Sequence, residues 1–416
     1  MIAPDGFAGA LIAIESIDGV KVLLNGPAGC RNRFMVLMRQ LMRDIDHDSE
    51  KYNVPYFKGQ GRVPCTYIDE QDFINGGYPK IRDALEVIRD VEDCHIVILD
   101  SPGASLIGDD HSKAITDAGM DERAFSISSH YMSDTFERSY DRTVATILKH
   151  MGLKRGEPRK GKVNIIGYPV TEKDWLHGLG EIRSLLNKMG LEIGAVIGAG
   201  SSWDSIRDSM DAEANILIYP EFGRMTSEFL ESEMSIPTIR AVAPIGFDST
   251  REWIGVIASA LDVDPGPAMD HLRSVMRDVT TAIASDKGRS KNLRGMTFDI
   301  EAIPSIAFPL TRWLIEYLGM VPSAIRFTSS DKGSEEHLRD YLEARGLSPV
   351  IGAPRLLYTD VILTNGHDAL NLEEERRCGV GIDISFPSVK EMPILPEPLI
   401  GPLGAMYIVD RILNSI

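Results

Sequence analysis

Short apolar runs alternate along this chain with longer stretches whose apolar residues recur at helical spacing. Val20 to Leu24 predicts a buried strand, and Phe34, Val36, Leu37, Leu41 and Met42 predict a helix starting near Gly29. A polar loop is expected from Asp46 to Arg62, then a helix carrying Ile81, Leu85, Val87 and Ile88. His95 to Asp100 is a compact apolar run typical of a parallel strand, and the loop Ser101-Pro102-Gly103-Ala104-Ser105 follows it. Ile107-Gly108-Asp109-Asp110 opens another helix, and a long helix over 134–151 closes the first segment. Lys154 to Lys162 is basic, contains Gly and Pro, and predicts a solvated linker.

The pattern then repeats. Val163 to Gly167 predicts a strand. Thr171 with Asp174 predicts a capping-box helix start, and Trp175, Leu176, Leu179, Ile182, Leu185, Leu186 and Met189 trace one helix face. Strands are expected over 191–198, ending in Gly198-Ala199-Gly200, and over 215–219, ending at Tyr219-Pro220-Glu221. Residues 250–290 read as helical and then polar. Later strands are expected over 295–300, 323–327, 348–351 and 360–364, with another ending at Asp383 to Pro387; helices are expected over 306–318 and 334–345, and after Pro398 to Ala405 a last helix runs through Ile412. The fold class is α/β: three Rossmann-like domains with parallel sheets around a central cleft. Their expected limits are 1–155, 163–262 and 295–416, with a helical connection over 263–294.

Composition narrows the function classes. A chain of 416 residues with 43% apolar and 25% charged residues is that of a globular protein, and its net charge of −17 argues against a nucleic-acid partner. Without a long uncharged apolar run or a signal-like N-terminus, the expectation is a cytoplasmic protein with no membrane span. The cysteines are Cys30, Cys65, Cys94 and Cys378, with no C-x-x-C pair, so a disulfide framework is not expected. They are buried thiols, catalytic thiols or metal ligands.

Asn25-Gly26-Pro27-Ala28-Gly29-Cys30 is the stretch around which this chemistry gathers. It places Cys30 where a strand turns into a helix, and backbone amides with the helix dipole would favour a thiolate there. Cys65, in Arg62-Val63-Pro64-Cys65-Thr66-Tyr67, also follows a proline and could converge on the same place, which would suit an iron–sulfur site. Cys94 reads as a core thiol. There is neither a dinucleotide fingerprint nor a Walker lysine motif.

Several segments together resemble the component 1 type oxidoreductases of the nitrogenase superfamily. Gly26-Pro27-Ala28-Gly29-Cys30 resembles that family's G-P-x-G-C cluster ligand, and Glu70 to Gly77 its E-D-x-x-x-F-G-G stretch. Leu106 to Asp110 resembles its I-G-D-D helix start, and Ile384 to Pro387 with Gly401 to Ala405 its closing pattern. The resemblance implies a twofold dimer, an iron–sulfur cluster near the subunit interface with Gly26, Gly29 and Cys30 around it, and a separate ATP-hydrolysing iron–sulfur reductase as electron donor. Departures from the pattern are equally informative. Pro4, next to Ala3, and Pro102 stand where large-cluster relatives carry cysteines, and Tyr219 ends the strand that carries the cofactor cysteine in nitrogenase. No iron–molybdenum cofactor and no dinitrogen reduction are therefore expected.

Ligand arithmetic suggests a smaller cluster. Cys30 and Cys65 supply two thiolates per chain, and a homodimer axis would double them to the four of a [4Fe–4S] centre. An alternative replaces one thiolate with Asp69 or Asp72. Ser101, Ser105, Tyr219, Glu221, Arg224, His177 and His367 are cleft candidates for contacting a small-molecule or tetrapyrrole-like substrate, and Arg31 and Arg33 could offset cluster charge. The expected function is an electron-accepting oxidoreductase component. The alternatives are a metallocofactor assembly scaffold and an orphan homologue binding a small molecule without a cluster.

Overall fold

The structure is a computed structural model that describes residues 4–41, 63–91, 93–127, 129–285, 293–388 and 394–415. The expected loop at 46–62, Met42 and the polar break after Ser285 fall on residues outside these ranges. In chain order the elements begin α1 (Gly6–Glu15), β1 (Val20–Asn25), α2 (Ala28–Leu41), α3 (Glu70–Asn75), α4 (Tyr78–Val91), β2 (His95–Asp100), α5 (His111–Asp117), β3 (Ala124–Ser126) and α6 (Phe136–His150). Then come β4 (Arg159–Ile166), α7 (Trp175–Lys188), β5 (Glu192–Ile197), α8 (Trp203–Asp208), β6 (Ala212–Leu217), α9 (Pro220–Ser232), β7 (Thr238–Arg240), α10 (Gly246–Leu261) and α11 (Gly266–Ser285). The last stretch holds β8 (Thr297–Ala302), α12 (Pro304–Glu316), β9 (Val321–Phe327), α13 (Lys332–Glu343), β10 (Thr359–Asn365), α14 (Gly366–Glu374), β11 (Cys378–Ser385) and α15 (Gly401–Ser415).

These strands form three sheets, ordered β1-β2-β3, β5-β4-β6-β7 and β11-β10-β8-β9. The registered pairs are parallel, for example Leu23 with Ile98, Ile165 with Ile216 and Ile300 with Ile325. Parallel pairing needs crossover connections, and helices supply them. Strands covered on both faces read as continuous apolar runs, so β1 and β2 were legible: Val22, Leu23, Leu24, Ile96, Val97, Ile98 and Leu99 are fully buried.

By contact the chain divides into two compact units. The first holds Met1–Gly156, Ala195–Met210 and Glu228–Met234; the second holds Glu157–Gly194, Asp211–Ser227 and Ser235–Ile416.

Several local expectations are corrected. Helix α1 escapes the periodicity reading because all of its residues are buried, so it has no polar face to set a period. Gly6 and Gly9 let it approach its neighbours: a Cβ there would stand 2.1 Å from the Tyr131 carbonyl and 2.2 Å from that of Phe136. The 348–351 segment is a short 3-10 turn with a single bridge from Ile351 to Ile325, not a strand. The basic linker ends inside β4, where Arg159 pairs with Glu192 and Lys162 with Asp211. No capping box starts α7: Asp174 sits in a left-handed conformation (φ 47°) and makes no side-chain cap bond. Its carboxylate instead accepts from the Glu397 amide at 2.8 Å and pairs with His177 at 2.9 Å.

Candidate active site

The first unit brings the two motif cysteines together. The segment after Val63 runs parallel along the free edge of β1: the Leu24 amide donates to the Pro64 carbonyl (2.9 Å), and the Thr66 amide to the Leu24 carbonyl (3.1 Å). This places Cys65 opposite Leu24. The Cys65 thiol, fully buried, donates to the Gly26 carbonyl at 3.1 Å. Cys30 lies in the first turn of α2, where its amide donates to the Pro27 carbonyl at 3.1 Å. Ser101, one residue past β2, hydrogen-bonds the half-buried Cys30 thiol. The two cysteines lie close enough that the charge of Cys30 acts on Cys65.

The scaffold of this corner is polar and buried. Asn25 donates to Asp100 (2.8 Å) and accepts from Thr66 (2.9 Å), while the Gly26 amide donates to the Thr66 hydroxyl (3.2 Å). The Ser101 amide donates to the Asn25 carbonyl (2.7 Å). Gly26 is sterically required, because a Cβ would stand 2.8 Å from both Cβ and Oγ of Ser101. Gly29, the other glycine expected at the site, has nothing within 4 Å of a Cβ built on it among the described residues.

The expected thiolate preference is corrected. Burial raises the Cys30 thiol above its ordinary range, against the Ser101 hydrogen bond and the Arg33 charge. Burial pushes Cys65 up to about 11, against hydrogen bonds from the backbone and the Arg31 charge. Desolvation thus outweighs the hydrogen bonds and the nearby arginine charges, and both groups are neutral thiols at pH 7 until something more strongly cationic replaces their protons.

Arg31 is buried, and its Nε donates to the Val63 carbonyl at 2.8 Å. Its Nη2 is buried without a hydrogen-bond partner among the described residues. A guanidinium N–H held out of water near the Cys65 thiol suits an anionic thiolate-ligated group. The donor set therefore fits an iron–sulfur cluster in kind, though among the described residues no group of three or more His, Cys, Asp and Glu side chains could hold a metal. Asp69 and Asp72, weighed as oxygen ligands, are otherwise engaged: they form a capping box on α3, and both pair with Lys80, at 3.1 and 2.6 Å.

The remaining candidates divide between the two units. Ser105 is near Ser101, with its hydroxyl on the Pro102 carbonyl (2.9 Å). In the second unit Tyr219 is fully buried and donates to Glu172 at 2.8 Å. Glu221 accepts from the amide and hydroxyl of Ser305, at 3.0 and 2.6 Å, and burial raises its carboxyl to about 7. Arg224 pairs with Asp331, and the His367 Nε2 meets Asn371 at 2.9 Å. Cys94 packs in the core behind β2, as expected, and Cys378 is buried in the second unit. Sequence reasoning missed Glu172, Lys173 and Asp383; the only signal was a charged run after a strand, which read as a helix start.

A family model for nitrogenase component 1 type oxidoreductases matches residues 6–416. The chain belongs to that family. Two similar curated relatives are subunits of light-independent protochlorophyllide reductase, one from Gloeothece citriformis (25% identical) and one from Leptolyngbya boryana (24% identical), each match covering 100% of this chain and 82% of the relative. Among solved structures the chain is similar to nitrogenase Cp1 at pH 6.5, with a TM-score of 0.76 and 16% identity over 98% of this chain and 91% of that one. This confirms the α/β fold with parallel sheets expected from the sequence. As a component 1 type oxidoreductase the chain belongs among enzymes. No helix among the described residues is long and apolar enough to cross a membrane.

Proposed function

We propose that this component 1 type oxidoreductase holds a [4Fe–4S] cluster through Cys30 and Cys65, shared across the axis of a homodimer. Such a cluster, when bound, accepts and passes on single electrons. The observation that carries the reading is the convergence of the two cysteines beside a buried Arg31 whose Nη2 has no partner among the described residues. One chain offers two thiols, and a twofold axis doubles them to the four such a centre takes. Arg31 offsets the negative charge of the Cys65 thiolate, and Ser101 orients Cys30.

The electron donor is an ATP-dependent iron–sulfur reductase resembling the nitrogenase iron protein, as the family resemblance implies. The substrate is a small, reducible organic molecule. The names of the relatives favour a tetrapyrrole-like compound. With Tyr219 at the end of β6, where nitrogenase has a cofactor cysteine, dinitrogen is not the substrate.

Iron and acid-labile sulfide, measured per chain after purification without oxygen, test this reading beside Cys30→Ala and Cys65→Ala. About two of each per chain, lost in both variants, is the expected result for a shared cluster. About four per chain would keep the cluster and refute the sharing. No iron after reconstitution, with the dimer intact, would overturn the redox reading in favour of a small-molecule-binding homologue.

A further inference from the structure

The second unit carries a group of ionisable side chains that electron transfer does not use, gathered where β4, β6 and β11 end. Tyr168 and Tyr219 follow β4 and β6, both are fully buried, and their rings stack with centroids 6.4 Å apart. The Tyr219 hydroxyl donates to Oε1 of the buried Glu172 at 2.8 Å. The next residue, Lys173, places its Nζ 3.1 Å from Oδ2 of the fully buried Asp383 in β11 and 3.4 Å from Oε2 of Glu397. Asp383 also accepts from Ser388, and the Tyr407 ring lies 5.7 Å from the Lys173 ammonium. Glu397 reaches solvent, with its side chain 26% exposed. Asp174 faces Tyr168 and pairs with His177, and Glu221 faces Tyr219 from the start of α9.

Charge counting sets the chemistry. The Lys173 ammonium already meets two carboxylates, Asp383 and Glu397. Glu172 feels the negative charge of Asp383, and among the described residues no cation is one of the groups acting on it. A third carboxylate buried without its own cation is relieved by taking a proton.

We propose that Glu172 is a buried general acid. It holds a proton beside the Tyr219 hydroxyl and gives it to a ligand bound at the carboxyl ends of β4 and β6. The proton is then restored from solvent along Glu397, Lys173 and Asp383. Ligands of open parallel sheets gather at such strand ends. In the transfer the O–H bond of the Glu172 carboxyl breaks and a bond from that hydrogen to the ligand forms, leaving a carboxylate that the Tyr219 hydroxyl stabilises. Burial, with the Asp383 charge, raises the Glu172 carboxyl to about 8, against the Tyr219 hydrogen bond, so the acid form is present at neutral pH. This role stands on the second unit alone and needs no cluster in the first.

Infrared difference spectroscopy of the full-length protein, with or without iron, tests it. The expected result is a protonated-carboxyl C=O band at pH 7 that shifts in D2O, titrates near the value of about 8, and is lost in Glu172→Gln. Tyr219→Phe, which keeps the ring, should move the band without removing it. Glu397→Gln should slow the D2O shift by about tenfold or more if proton return uses that carboxylate. A band absent from the wild type, unchanged in Glu172→Gln, or titrating in the ordinary carboxylate range would overturn the acid. Unslowed exchange in Glu397→Gln would overturn the route.

Discussion

Cys65 donates its thiol hydrogen to the carbonyl oxygen of Gly26 across 3.1 Å, so the second cysteine is tied to the loop that carries the first. Strand-like pairing brings them together: the chain after Val63 adds itself to the edge of β1, and the side chain opposite Leu24 is aimed at the turn. The site is therefore as rigid as the edge of the sheet, a property that a ligand set built on loops alone would lack.

The two glycines of the turn should behave differently. In Gly26→Ala the new Cβ meets Ser101 at 2.8 Å, among buried neighbours that have little room to give. A loss of about 1–3 kcal/mol in urea unfolding is expected. Gly29→Ala places its methyl inside a helix where no atom of the described residues lies within 4 Å, so a change within about 0.5 kcal/mol, or a slight gain, is expected. Equal losses in the two variants would contradict the packing described for the turn.

The raised thiols give the metal-free protein an alkaline weakness. A thiol whose folded value lies above its unfolded one contributes stability that is complete below the unfolded value and is lost as pH climbs through the folded one. For Cys65 that window runs from the ordinary 9.0 to about 11. Up to roughly 2–3 kcal/mol should disappear across it, and Cys65→Ala should flatten that part of the stability curve. The same shift makes iron loading release protons, so reconstitution should go faster at pH 8.5 than at pH 6.5. Loading that is independent of pH would argue against thiolate ligation.

Arg31 serves folding through one nitrogen and loading through another. In Arg31→Met the buried Nε bond to the Val63 carbonyl is lost, so the metal-free protein should lose about 1–3 kcal/mol in urea unfolding. Iron retention after gel filtration should fall, because the anionic group loses its buried counter-charge. Full retention would show that Arg31 serves packing alone.

Lys173 and Asp383 form a buried ion pair, so removing one partner should cost more than removing both. Lys173→Met leaves Asp383 fully buried without the cation it faces, at an expected cost of about 3–5 kcal/mol. Lys173→Met combined with Asp383→Asn should recover much of that loss in thermal unfolding. Additive losses would show that the two groups are not coupled.

Glu172→Gln should be stabilising only on the alkaline side. A carboxyl raised in the folded state adds stability that is complete below its ordinary 4.5 and lost as pH rises through about 8. The glutamine variant escapes that loss, so its unfolding midpoint relative to wild type should be higher at pH 9 than at pH 5. The opposite trend would mean that Glu172 is ionised in the folded protein.

The sequence by itself determined most of the strand and helix alternation, because buried parallel strands are continuous apolar runs and the outer helices carry a regular apolar face. Val20 to Leu24, His95 to Asp100 and Trp175 to Met189 show both patterns directly. It also marked Gly26 and Cys30, since a tight strand-to-helix turn demands particular residues in a fixed local order. The tertiary structure alone decided what is non-local. Helix α1 is buried all round and has no period to read. The place of Cys65 depends on an edge pairing between segments far apart in the chain. Thiol acidity is set by burial, which local sequence does not report, and burial outweighed the hydrogen bonds and arginine charges at both cysteines. Lys173 meets Asp383 across 210 positions of sequence, and a charge in a sequence carries no sign of the partner that will face it after folding.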